Sequence, residues 1–186
     1  MYNTGIDVSE HNGGIDWEAI RRAGIAFAII RLGWGRGHLD RLFYEHINGA
    51  LAAGLSVGVY YYSYADTPKA ARGLVEPSRI TAMCGAYVDS LKSAGYLAGV
   101  YASYDWLTRM IFPERASSCP FWCAQWGRTC DFPEAFLWQY TDQLDIGGHL
   151  FDGDRLLGGE IHGRLARSLH GMALPDLEMA GLCRHC

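Results

Sequence analysis

The stretch GIDVSEHNGGIDWEAIRRAGIAFAIIRLGW, residues 5–34, decides how the rest of the chain is to be read. GIDVS (5–9) is a short apolar strand that delivers a carboxylate, Asp7, towards its end. DWEAIRRAG (16–24) spaces its apolar residues as a helix does, with Asp16 suited to the N-cap and Gly24 to the stop. IAFAIIRLGW (25–34) is Ile-rich and apolar on both faces, as in a strand covered from two sides. The unit is therefore strand, helix, strand.

The alternation continues along the chain. LSVGVYYYSYA (55–65), YLAGVYAS (96–103), PFWCAQW (120–126) and FLWQYT (136–141) read as further strands. RLFYEHINGALAAG (41–54) and SRITAMCGAYVDSLKSAG (78–95) read as helices, each stopping at a glycine, with Ser78 suited to an N-cap. Repetition of this kind makes an α/β protein with a parallel sheet covered by helices, and a (β/α) barrel is its natural closure. Such barrels carry their chemistry at the C-terminal ends of the strands. Asp7, Trp34, Tyr62, Tyr64, Ser103, Gln125, Trp126 and Gln139 all fall there, which turns scattered polar letters into one rim.

The bulk numbers restrict the partners. A length of 186 residues suits one domain, and 49% hydrophobic with 19% charged residues is ordinary for a folded protein. Net charge is −4 with no run of Lys or Arg, so nucleic acid and anionic membrane have no electrostatic footprint. No segment approaches the ~18 uninterrupted apolar residues of a membrane-spanning helix. The N-terminus lacks the basic and apolar regions of a signal peptide, so export would need another route. Aromatic residues are generous at 13%; such rings fill cores, and in an open cleft they stack on sugars. Of six cysteines, Cys119-x3-Cys123 and Cys183-x2-Cys186 have loosely metal-like spacings without a four-ligand pattern. Free thiols or one local disulfide are expected, with no metal and no cofactor.

Five segments in order, GIDVSEHNGGIDW, GVYYYSYADTPKAA, AGYLAGVYAS, FWCAQW and FLWQYTD, resemble the glycoside hydrolase family 25 lysozymes, N-acetylmuramidases that cut peptidoglycan. The resemblance covers residues 4–157, which makes residues 1–158 a barrel domain and 159–186 a tail unlike anything in the family. It implies a modified (β/α) TIM-like barrel with an acidic groove at the strand tips. It also implies an acid on the first strand, matched by Asp7, and another from the closing segment IGGHLFDGDRLL, where Asp152 fits best and Asp154 follows. Tyr62, Trp126 and Gln139 fall where the family lines its sugar groove.

One departure stands against these agreements. The family carries an Asp-x-Glu pair on its fourth strand, the Glu acting as general acid. Between the end of the third strand here and the helix at Ser78 lies only DTPKAARGLVEP (66–77), whereas a βαβ unit needs ~30 residues. The total length is also below the ~200 residues of the smallest common (β/α)8 barrels. The chain thus reads as a shortened barrel lacking one βα unit, in which Glu76 stands for the Glu and Leu74 occupies the Asp position.

Glycoside cleavage needs a carboxyl that keeps its proton near the leaving oxygen and a negative group to steady oxocarbenium-like charge. Glu76 with Asp7 or Asp152 would supply these in an active muramidase hydrolysing the β-1,4 bond between N-acetylmuramic acid and N-acetylglucosamine. A relative that holds cell-wall glycan without cutting it is the alternative. The expected form is a monomer acting on peptidoglycan strands outside the cell. Each candidate also has a plain structural reading. Asp7 suits an Asx-turn, Asp152 a cap on GDRLLG, Glu76 a solvated loop, and Tyr62, Trp126 and Trp138 simple packing. His11 and His149 read as polar loop residues.

Overall fold

The computed structural model describes residues 4–35, 37–63, 76–111 and 119–157. Tyr64, Leu74 and the tail 159–186 lie outside the described residues. In chain order the elements are β1 (Thr4–Val8), a 3-10 turn (Glu10–Asn12), α1 (Trp17–Arg22), β2 (Phe27–Trp34), β3 (His38–Leu39), α2 (Phe43–Ala52) and β4 (Ser56–Tyr62). They continue with α3 (Pro77–Ser93), β5 (Val100–Ser103), α4 (Tyr104–Arg109), β6 (Phe121–Ala124), β7 (Ala135–Ile146) and β8 (His149–Leu156).

The strands form one sheet in the order β4-β2-β1-β8-β7-β6-β5, with the short β3 paired to the tip of β2. The pairs β1–β2, β2–β4, β5–β6 and β6–β7 are parallel, as the strand–helix alternation demands. The expectation of a wholly parallel sheet is corrected at β8, which runs antiparallel to both β7 and β1. The closing segment IGGHLFDGDRLL forms the turn and second arm of a hairpin. Gly147 and Gly148 both take positive φ, the requirement of a tight two-residue turn between twisted strands, and Asp145 Oδ1 accepts from Gly148 N at 2.7 Å. β7 accordingly runs five residues past the Thr141 end read from FLWQYT.

The sheet curls. Tyr60 on β4 meets Trp122 on β6 edge to face at 6.0 Å, although β2, β1, β8 and β7 lie between their strands in the sheet. Strands ~4.8 Å apart bring those two rings together only when the sheet wraps into a half-barrel. Its concave side is filled by Trp122, Leu137 and Leu156 with Phe27, Ile29 and Tyr60. On the convex side Ile6, Val8, Ala28, Ile30 and Val57 alternate out of the strands onto Trp17 and Ile20 of α1 and Phe43, Ile47 and Ala50 of α2. A second outer cluster joins Phe121 and Cys123 to Leu107, Ile111 and Phe132 beneath α3 and α4. β4 and β5 are the edges of the described sheet, and α3 is the one described element in the connection between them.

Local signals account for the helix ends. Asp16 Oδ1 accepts from Ala19 N at 2.9 Å and caps α1 as expected. Gly24, Gly54 and Gly95 follow α1, α2 and α3 with positive φ. The N-cap of α3 is Glu76 rather than Ser78, because Pro77, with φ already fixed and no N–H to satisfy, suits the first helical position. The helix α4, capped by Ser103 Oγ, had no counterpart in the sequence reading; at six residues its apolar pattern is too short to stand out.

Gly33 carries a packing constraint. The β2–β4 register shifts beside it, and a Cβ there would sit 2.0 Å from the carbonyl oxygen of His38. Backbone cannot swing aside as a side chain does, so Gly33→Ala is expected to lose about 1–3 kcal/mol of stability. Urea unfolding measures it, and an unchanged midpoint would contradict the packing described.

Candidate active site

Strand pairing brings three carboxyls together. In the β1–β8 register Asp7 lies directly opposite Asp152, and Gly5 opposite Asp154. Paired residues share a face and so do residues two apart on one strand, so Asp7, Asp152 and Asp154 all occupy one side of the sheet. That side is the concave one, because Ile6 and Val8 point outward. Phe27 lies over Gly5, where a Cβ would come within 2.1 Å of its ring, and forms the floor below the acids.

Polar side chains from neighbouring strands complete the cluster. Gln139 Nε2 donates to Asp7 Oδ2 at 2.8 Å, and the Gln139 Oε1 accepts from Tyr101 OH at 3.0 Å and Trp126 Nε1 at 3.4 Å. Trp122 Nε1 donates to Asp154 Oδ1 at 2.9 Å. Asp7 is 6% exposed and Asp154 not at all, while Asp152 is half-buried. The other Asp154 oxygen has no hydrogen-bond partner among the described residues, and the neighbouring Asp7 is the charge that acts on it most.

The electrostatics follow from this crowding. Burial, then the charge of Asp152, pushes Asp7 up to about 7, against the hydrogen bonds from Gln139 and Asp154. Burial, then the charge of Asp7, holds Asp154 well above the usual carboxylate range. Asp152 is raised by burial and by Asp142. Tyr60 and Tyr101 are raised by burial and next by Asp7. No ion pair reaches the three acids among the described residues, so repulsion is relieved by protonation. A site of this kind keeps an acid proton at neutral pH beside an ionised neighbour.

The expected site residues separate into groups. Asp7, Asp152, Asp154 and Gln139 form the cluster, and Trp126 reaches it through Gln139 while remaining 62% exposed. Tyr62 is exposed at the end of β4 and close enough to Tyr101 to affect its ionisation. Glu76 heads α3 with an exposed side chain that makes no hydrogen bond or ion pair among the described residues. Trp138 is a packing residue, buried with Nε1 donating to Gln125 O at 2.7 Å. The sequence reading had not singled out Tyr101 or Trp122. Alternation places Tyr101 two before Ser103 and Trp122 two before Ala124 on neighbouring strands, which is the signal that would have found them.

A second network fixes the rim above β1 and β2. Buried Asp40 accepts from Arg31 Nε at 2.8 Å, Glu10 N at 3.0 Å and Leu42 N at 2.9 Å. Arg31 also approaches Glu10 at 3.3 Å and lies 4.7 Å from the centre of the Trp34 ring. His46 of α2, wholly buried, donates Nε2–H to Gly13 O at 2.8 Å and ties down the loop behind Asp7.

No cluster of His, Cys, Asp and Glu among the described residues is arranged to hold a metal ion, and no described helix is long and apolar enough to cross a membrane. The family model for glycosyl hydrolases family 25 matches residues 6–75. Lysozyme M1 of Streptomyces globisporus is 26% identical over 210 residues, spanning 89% of this chain and 69% of its own. Those 210 positions exceed the share of this chain they use, so the relative carries additional residues inside the matched span. The family 25 lysozyme of Aspergillus fumigatus superposes with TM-score 0.74 at 20% identity, covering 89% of this chain and 99% of that one. The modular autolysin LytC of Streptococcus pneumoniae, in complex with a synthetic peptidoglycan ligand, gives 0.69 at 22% identity, covering 83% and 46%. Over residues 6–75 the chain is similar to the glycosyl hydrolases family 25, and its fold is that of the family 25 lysozyme structures.

Proposed function

We propose that this protein is a peptidoglycan muramidase, a lysozyme that hydrolyses the β-1,4 bond between N-acetylmuramic acid and N-acetylglucosamine. The observation that carries the reading is Asp7, buried, hydrogen-bonded by Gln139 and raised to about 7 beside Asp152 in the mouth of the half-barrel. Asp7 is the group that offers the proton to the leaving oxygen. Asp152, opposite it and open to solvent, meets the positive charge that develops on the sugar. Asp154 touches no substrate: held by Trp122, it positions Asp7 and keeps the pair short of full ionisation. Trp126, Tyr101 and Tyr62 line the approach, where amphipathic rings suit pyranose faces. The protein works as a monomer on glycan strands at the bacterial wall, outside the cell.

Glu76 tests the assignment of the proton. Family logic gives it the acid's role, but at the head of α3 its side chain is exposed and makes no hydrogen bond or ion pair among the described residues. Glu76→Gln is expected to clear a cell-wall suspension within about twofold of the wild-type rate. A fall of ~10²–10⁴-fold, the usual worth of a general acid, would return the role to Glu76.

A second reading, glycan binding without cleavage, draws on the same exposure of Glu76. Turbidity of a wall suspension beside a pull-down on insoluble peptidoglycan separates the two. Clearing supports the hydrolase, and retention on the wall without clearing supports the binder.

A further inference from the structure

We propose that Cys123 and Cys130 are a preformed dithiol that closes to a disulfide in an oxidising environment and staples the loop carrying Trp126. Cys123 ends no chemistry at the acids; it points to the convex face of β6, wholly buried among Phe121, Leu107 and Phe132, and half-buried Cys130 packs on the same cluster. After burial, Cys130 is the neighbour that pushes the Cys123 thiol up most. Cys130 Sγ donates to Phe132 O at 3.7 Å, which holds its side chain against the cluster that buries Cys123.

The backbone is already folded for the bridge. Between the two cysteines, Gln125 and Asp131 clamp the loop shut with two hydrogen bonds, Gln125 Nε2 to Asp131 Oδ2 at 2.7 Å and Asp131 N to Gln125 Oε1 at 2.8 Å. The loop is also laid along β7 by Gln125 N to Gln139 O at 3.1 Å and Gly127 N to Tyr140 O at 3.0 Å. The spacing that drew notice in the sequence, Cys119 to Cys123, is excluded. Those residues run along an extended segment at ~3.3 Å per residue, about 13 Å apart, beyond the ~7 Å between Cα atoms that a disulfide spans.

The chemistry balances with a small-molecule disulfide such as oxidised glutathione. Cys130, the accessible member, loses its proton and attacks one sulfur, forming a mixed disulfide and releasing one small thiol. Cys123 then loses its proton and displaces the second. Two S–H bonds are broken, one S–S bond forms between the cysteines, and the electron pair leaves with the two released thiols. Burial pushes the Cys123 thiol up to about 12, so the second step is slow near neutrality and quickens as pH rises. Such a bond is a structural staple rather than a reactive switch: open in a reducing cytosol, closed at the wall. It fixes the loop whose Trp126 reaches the Gln139–Asp7 pair.

The test incubates the full chain with oxidised or reduced glutathione, alkylates it, digests it without reduction and maps peptides by mass. The expected result is a peptide pair joined through Cys123 and Cys130, two hydrogens lighter than the reduced pair, and a thermal midpoint several degrees higher. Cys130→Ser, a half-buried exchange that leaves the core in place, should lack both. Alkylated Cys123 and Cys130 after oxidation, or Cys123 joined to any other cysteine, would overturn the pairing. The bridge without a thermal rise would overturn the stapling.

Discussion

Asp7→Asn abolishes lysis of peptidoglycan while the protein stays folded: this is the expected result with the largest effect on activity. Asn keeps the shape of Asp and still accepts the hydrogen bond from Gln139, but it has no proton to give. Loss of a general acid costs ~10²–10⁴-fold, and removal of the charge beside Asp152 adds to it. Stability moves the other way. A carboxyl raised from 3.8 to about 7 binds more protons in the folded protein than in the unfolded chain between those values. Its contribution is therefore fully present below the unfolded value and is lost as pH rises through about 7. Asn escapes that loss. Thermal melts of Asp7→Asn and wild type should accordingly diverge in favour of the variant as pH rises from about 4 to about 7, and run parallel above that. Wild-type clearing by the variant, or a melting difference independent of pH, would contradict the role given to this residue.

Asp40→Ala is expected to show the largest effect on stability, a loss of about 3–5 kcal/mol. Asp40 is 1% exposed and accepts three hydrogen bonds, from Arg31, Glu10 and Leu42. Without it the buried Arg31 guanidinium retains, among the described residues, the longer approach to Glu10 at 3.3 Å and the Trp34 ring at 4.7 Å. A buried cation stripped of its main partner is among the costliest single changes in a protein. Denaturant unfolding measures it. A loss below about 1 kcal/mol, the range of a surface ion pair, would show that water reaches Arg31 and that the rim is looser than described.

Much of this was legible in the sequence because local rules and the global fold agreed. The strands β1, β2, β4, β5 and β6 and the helices α1, α2 and α3 carry the apolar periodicities, Asp16 and the three terminal glycines their ends. Asp7, Gln139 and Trp126 stood out by sitting where strands stop. β8 was illegible because its alternation is broken by the acids it delivers. FDGD places Asp152 and Asp154 on the inner face, where a strand ordinarily shows apolar residues, so the site itself erased the signal of the element that carries it. The Gly147–Gly148 turn was the remaining sign of a hairpin. Arg31 and Asp40 were illegible for a different reason: a buried ion pair joins residues that look individually like loop or strand polar groups, and the partner is set by three-dimensional closure.

The most direct measurement is the identity of the new sugar ends released from purified peptidoglycan, read by borohydride reduction and mass spectrometry for wild type and Asp7→Asn side by side. The account predicts reducing-end N-acetylmuramic acid from the wild type and none from the variant. Reducing-end N-acetylglucosamine, equal release by both proteins, or intact strands with the wild type would contradict it.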